Sequence, residues 1–235
     1  MIATGHRGLL NAGQLESTEA KDDQAPWLAF LPRQLLNRLM LPLGSITPPQ
    51  IAKLAREIGL TAQVPTDGNA ESRQPCALSQ QEWLAWASAR VPTGFQNPGP
   101  ITHAKTIAIA EHGGILDYPI GSQVTIESAG TFLARDFDTS SHTLHVALPG
   151  EGGESEVTVE GLNWIEPASG KPGPSAKVEV HALGASAGST TVGTLFFHLE
   201  NEGRLLLQKP MTNLFRGTPL IFFAGKRILG AGWVS

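Results

Sequence analysis

Cysteine is almost missing from this 235-residue chain, where Cys76 stands alone. One thiol can form no internal disulfide and no multi-cysteine zinc site, which leads to the expectation of a reducing, cytoplasmic home. Long apolar runs are missing too. Nothing approaches the roughly 20 residues of a membrane helix, and the opening MIATGHRGLLN lacks the charged-then-apolar order of a signal peptide. A soluble protein with no membrane partner is expected.

Nucleotide signatures are equally scarce. A phosphate loop needs G-x-x-x-x-G-K-[ST], whose amides and lysine hold phosphates while the hydroxyl holds magnesium. The nearest imitation, SGKPGP at 169–174, lies in a proline-rich stretch with no helix after it. Residues 1–100 carry no Asn-Lys-x-Asp guanine-reading motif. Cys76 follows Pro75 with no evident His or Asp partner. His142 and His145 are three apart, which on a strand places them on opposite faces. A metal site there would need distant help from His103, His112 or Asp136. No catalytic residue, metal or cofactor is therefore expected, and the reading is of a non-enzymatic protein.

Acids are absent from one end. None of the 21 Asp and Glu lies after Glu202, whereas Arg204, Lys209, Arg216, Lys226 and Arg227 do. A basic end on an acidic body suits a polyanion, but equally the chain's own acidic half or an acidic partner.

What is present is turn-rich. With 26 Gly and 17 Pro, and 41% apolar residues for the cores, β-rich structure is favoured over a helical bundle. Residues 1–24 are polar and mixed, and read as a flexible arm. Residues 25–100 read as a helical region with linkers. Trp27, Leu28, Phe30, Leu31, Leu35, Leu36, Leu39 and Met40 recur at helical spacing, with a helix expected over 33–40. Thr47 caps a second helix that ends at Gly59; its letters resemble the start of a helix-turn-helix, but no basic recognition helix follows. Residues 61–77 form a linker, and a capping box at Ser79 and Glu82 opens a third helix. There Trp83 and Trp86 form a core stripe or, secondarily, a partner-binding face. The prolines of 91–100 mark a boundary. Beyond it come strands near 105–111, 123–127, 131–137, 143–148 and 156–165, giving a β-rich module over 101–170. A linker at 168–175 leads to strands near 177–182, 191–200, 204–208, 219–223 and 228–234, a barrel-like module over 171–235. The fold class expected is α+β: a helical head followed by two small antiparallel barrel-like modules.

The last stretch, GRLLLQKPMTNLFRGTPLIFFAGKRILGAGWV at 203–234, carries the most specific pattern. A strand, a proline, a glycine before Leu-Ile-Phe-Phe, a basic pair and Leu-Gly-Ala-Gly-Trp-Val follow in order. This resembles the end of the third domain of elongation-factor-type translational GTPases, the selenocysteine-specific elongation factor and the GTPase subunit of sulfate adenylyltransferase nearest, over about residues 175–235. The resemblance implies a β-barrel that contributes to tRNA binding; the GTPase engine is missing. The turn with Gly225, Gly230 and Gly232 also resembles the glycine-rich loop of CRISPR RNA-binding subunits, although residues 1–100 show no ferredoxin-like order.

These readings converge on a subunit that binds structured RNA, tRNA-like or guide RNA, beside other protein subunits. The candidate surface is Arg204, Lys209, Arg216, Lys226 and Arg227 with the flat faces of Phe215 and Trp233, since phosphates want mobile cations and bases want rings. The bland alternative puts Phe222 or Phe223 in the core and uses Trp233 to close the barrel. A protein-interaction scaffold without nucleic acid is the competing class.

Overall fold

The computed structural model describes residues 1–11, 13–18, 23–60, 80–104, 107–165, 173–183, 190–199 and 201–235. The head opens with three short strands, β1 (Ile2–Ala3), β2 (Leu9–Asn11) and β3 (Gln14–Glu16). Helices α1 (Ala25–Leu28) and α2 (Arg33–Leu36) and strand β4 (Leu39–Met40) follow, then α3 (Pro48–Glu57) and α4 (Gln80–Ser88). The middle holds β5 (Gly99–His103), β6 (Ile107–His112), β7 (Gln123–Ile126), β8 (Gly130–Asp138) and β9 (Thr143–Ala147). The last six strands are β10 (Glu154–Trp164), β11 (Ser175–Ala182), β12 (Thr190–Leu199), β13 (Glu202–Met211), β14 (Pro219–Ala224) and β15 (Arg227–Val234).

The β-rich α+β class holds. Strands β10-β13-β12-β11-β14-β15 run in that order, and a β10–β15 pairing closes them into a six-stranded antiparallel barrel. Closure removes the two open edges a six-stranded sheet would have, except at the start of β15, where Arg227 pairs with Glu16 of β3. In β11 and β13 alternate residues are buried, as a strand with one face on a core requires. Val159, Val180, Leu195, Leu205, Leu220 and Phe222 fill the interior. The middle strands form an open, curled sheet in the order β6-β5-β9-β8-β7 over Ile101, Val124, Phe132, Leu144 and Val146. Its β5–β9 pair is parallel and the others antiparallel.

Several sequence expectations are corrected. The described residues of the stretch expected to be a flexible arm are not free: β2 and β3 form a hairpin, β3 pairs with β15 at Arg227 and Glu16, and Leu15 is buried. The helix expected over 33–40 stops at Leu36, because Leu39 and Met40 join β1 in a parallel pair. Strand β5 arises inside the proline-rich boundary, and Pro100 is accommodated because it pairs with β6 alone, the β9 pairing beginning at Ile101. Strand β10, assigned from sequence to the middle module, belongs to the barrel. Trp86 is exposed rather than in a core stripe, with the Arg90 guanidinium 4.4 Å over its ring. The side chain of Trp83, Ser79 of the capping box, the linkers at 61–77 and 168–172, and Cys76 lie outside the described residues. Helix α3 begins as the sequence indicates: Thr47 precedes Pro48, and the Thr47 amide donates to Gln50 Oε1 at 2.9 Å. No described helix is long and apolar enough to cross a membrane.

The head packs on the outside of the barrel wall. Ile221 and Phe223 of β14 point away from the interior and join Leu15, Leu28, Leu36 and Ile228 in a second core. Strand β14 is thus buried on both faces: Phe222 is inside the barrel and Phe223 is under the head. Asn163 ties the two parts, its Nδ2 donating to the carbonyls of Ala29 (2.7 Å) and Leu31 (2.9 Å). The middle sheet meets the barrel where Leu133 and Ala147 pack on Phe215.

Candidate nucleic-acid interface

The cations of the basic tail do not form one patch. Arg216 follows Phe215 in the β13–β14 connection, and the next amide, Gly217, donates to the carbonyl of Val234 at the end of β15. Lys226, in the turn before β15, and Arg227, its first residue, lie at the other end of that strand. At the usual rise per residue the eight-residue strand separates them by roughly 25 Å. Lys226 is anchored beside the head hairpin, its carbonyl accepting from the Ser17 amide. Arg204 lies on the barrel wall, where its Nη2 donates to Glu156 Oε2 at 2.8 Å across the β10–β13 pair. Lys209 borders a separate groove of about 380 Å³ with Glu179, His181 and Thr191. There burial holds the His181 imidazole below its ordinary pKa, opposed weakly by Glu179, and its ring stacks on Phe223 with centroids 4.3 Å apart.

The rings have packing roles. Phe215 is buried between the modules. Trp233 is partly buried and stacks on Phe30, ring centroids 4.6 Å apart. The glycines do not make a loop. Gly225, at φ +60, opens the two-residue turn between β14 and β15, but Gly230 and Gly232 lie within β15. A Cβ on Gly230 would sit 2.4 Å from the Asn163 carbonyl oxygen, and one on Gly232 2.4 Å from Val159 Cγ1. Their hydrogens let β15 approach β10 and close the barrel. The glycine-rich RNA loop read from the sequence is therefore corrected to a barrel seam.

What the fold does assemble is a cleft of about 380 Å³ between the middle sheet and the barrel. Arg135, Asp136 and His145 line it from β8 and β9, and Glu154, Glu156 and Arg216 from the barrel. Two backbone irregularities shape it. Ala134 pairs with Val146 and Asp136 with His145, so Arg135 is the extra residue of a β-bulge, a device that re-aims a side chain. Ala104, also on the rim, holds φ +55, a left-handed conformation that costs a non-glycine residue energy. His145 is fixed by Thr102, Oγ1 to Nδ1 2.8 Å. Near Arg135, Glu151 accepts from His103 Nε2 (2.9 Å) and from the Leu148 amide (2.7 Å). These bonds, His103 first, hold its carboxyl below the ordinary 4.5, with a smaller contribution from the Arg135 charge. Asp138 is held lower still by the Ser140 hydroxyl and amide and by Ser141.

Sequence reasoning named Arg216 for this site but not Arg135 or Glu154, since neither a bulge nor the meeting of two modules leaves a local pattern. The histidines do not converge. His142 precedes β9 at φ +52, and its carbonyl accepts from His112 Nε2 at 2.9 Å, away from the Thr102–His145 pair. Among the described residues no three His, Cys, Asp or Glu side chains gather as metal ligands.

No family model matches this sequence. Curated proteins do, along all of it. The chain is 27% identical to the tRNA-specific 2-thiouridylase MnmA of Chlorobium luteolum, covering 100% of this chain and 65% of that protein. It is 27% identical to the tRNA-specific 2-thiouridylase MnmA of a Synechococcus strain with the same coverage. For the Zymomonas mobilis protein of that name the identity is 24%, over 100% of this chain and 61% of the relative. The chain thus spans less than two thirds of the length of these relatives. All three are enzymes by name, and this overturns the non-enzymatic expectation drawn from the missing motifs: those motifs belong to other enzyme classes, and their absence did not exclude this one.

Proposed function

We propose that this chain is a tRNA-binding portion of a tRNA-modifying enzyme that thiolates uridine. The observation that carries the reading is the alignment of the entire chain with tRNA-specific 2-thiouridylases. Chemistry on a nucleotide embedded in a folded RNA requires the RNA to be held in register, and two small β-modules with a cleft at their junction that carries both arginines and carboxylates suit that task. Arg135 and Arg216 reach the cleft from different modules, so a bound phosphate backbone would bridge them. The likeness of residues 175–235 to the tRNA-contacting barrel of elongation factors leads to the same ligand by a separate route.

The test is the RNA that travels with the protein. Purified from its host without nuclease, the chain should carry ribonuclease-sensitive absorbance at 260 nm, and sequencing of that RNA should return tRNA above its cellular share. RNA with no tRNA enrichment, or a clean protein spectrum, would refute the reading.

A further inference from the structure

We propose that the cleft between the middle sheet and the barrel is a ribose-phosphate site that recognises the 2′-hydroxyl of bound RNA. This rests on the RNA-binding reading above and adds to it how the site tells RNA from DNA.

The lining of the cleft is mismatched to a simple polyanion. A site built only for a polyanion would exclude carboxylates, yet this cleft interleaves Arg135, Arg216 and His145 with Asp136, Glu154 and Glu156. Each acid beside a phosphate would cost affinity by repulsion. A ribonucleotide backbone removes the conflict, because it alternates a phosphate with a hydroxyl that can donate. Guanidinium groups take the phosphate, and carboxylates, acceptors only when ionised, take the 2′-hydroxyl. DNA has no such donor and would leave the acids facing phosphates.

The geometry assigns the parts. Glu156 already accepts from Arg204, and Asp136 Oδ1 accepts from the Phe137 amide at 2.8 Å, which leaves its Oδ2 for a ligand. Asp136 and Glu154 are thus the carboxylates for the sugar, one from each module. Arg135 sits next to Asp136 only because of the β8 bulge; a regular strand would send consecutive side chains to opposite faces. The bulge therefore puts a phosphate donor and a hydroxyl acceptor side by side on one wall of the cleft. Phe215, buried against Leu133 and Ala147, holds the two walls together.

The experiment titrates the full chain with an RNA hairpin carrying a tRNA anticodon-arm sequence, and with the same hairpin bearing 2′-O-methyl groups. Methylation keeps the A-form helix and removes the donor. Wild type should bind the hydroxyl form about tenfold tighter, the worth of one hydrogen bond to a charged acceptor. Glu154→Ala and Asp136→Ala should each bring that ratio towards one. Arg135→Ala and Arg216→Ala should weaken both hairpins alike, each lowering the salt slope by about 1. Glu154 is exposed on a strand end, so its variant should fold even if Asp136→Ala does not. Equal binding of the two hairpins by wild type, or a ratio unchanged in Glu154→Ala, would overturn the proposal while leaving RNA binding intact. Binding of neither hairpin would overturn it together with the reading on which it rests.

Discussion

The indole of Trp233 stacks on the ring of Phe30, 4.6 Å between centroids, and so joins the last strand of the barrel to the head. A tryptophan used in this way is structural, since an aromatic pair adds its own stabilisation to the area it buries. Trp233→Ala should lower stability by about 2 kcal/mol or more, read as a fall in the melting temperature. RNA affinity per folded molecule should not change. A large loss of affinity with no change in melting would return Trp233 to the binding surface.

The barrel seam gives a second prediction. At Gly230 an added Cβ meets the Asn163 carbonyl oxygen, and backbone in a closed barrel has little freedom to yield. Gly230→Ala should cost about 3 kcal/mol or prevent folding. At Gly113 nothing lies within 4 Å of the same added atom, and Gly113→Ala should change urea denaturation by only a few tenths of a kcal/mol. Equal effects at the two positions would show that the seam is not closely packed.

Much of the barrel was legible because its strands alternate and its turns carry glycine or proline. Leu220 and Phe222 against Ile221 and Phe223 is a pattern any strand with two buried faces would show. Sheet membership was not legible. Residues 156–165 read as a strand, but only the pairings of β10 with β13 and β15 reveal which module it completes. The hairpin at 9–16 was not legible, since among its described residues only Leu15 is fully buried and the rest of the signal is a pairing with β15. The site was legible in half. Arg216 stood out as a cation in an acid-free tail, but its partner Arg135 owes its position to a bulge in another module. The assumption that neighbours in sequence form one patch failed because β15 carries Lys226 and Arg227 to the far end of the barrel.

Asn163 provides the third prediction. Its amide satisfies two carbonyls of the head, those of Ala29 and Leu31, and removing it leaves both without their donor. Asn163→Ala should cost about 1–3 kcal/mol, and protease should then release the head at lower concentration than in wild type. Unchanged cleavage would show that the apolar contacts alone hold the head.

Acid should weaken the fold in two steps. Burial lowers the pKa of His181 in the folded state from 6.5, so the unfolded chain binds the proton better. Stability is unaffected above about pH 6.5 and falls as pH drops through the folded value. Glu151, lowered from 4.5 by His103 and the Leu148 amide, contributes stability above about pH 4.5 that is lost as pH falls through its folded value. Melting temperature followed from about pH 8 to about pH 2 should therefore decline first through His181 and then through the lowered carboxylates, Glu151 among them. His181→Gln should flatten only the upper step, and Glu151→Gln only the lower. Loss of both steps in either variant would contradict the assignment.

The most direct measurement of the central claim is a titration of labelled tRNA with the purified chain across salt concentrations. The account predicts binding that weakens steeply as salt rises, with log affinity falling linearly in log salt, and a shallower slope for Arg135→Ala and Arg216→Ala. No salt-sensitive binding to tRNA, by a chain shown to be folded, would contradict it.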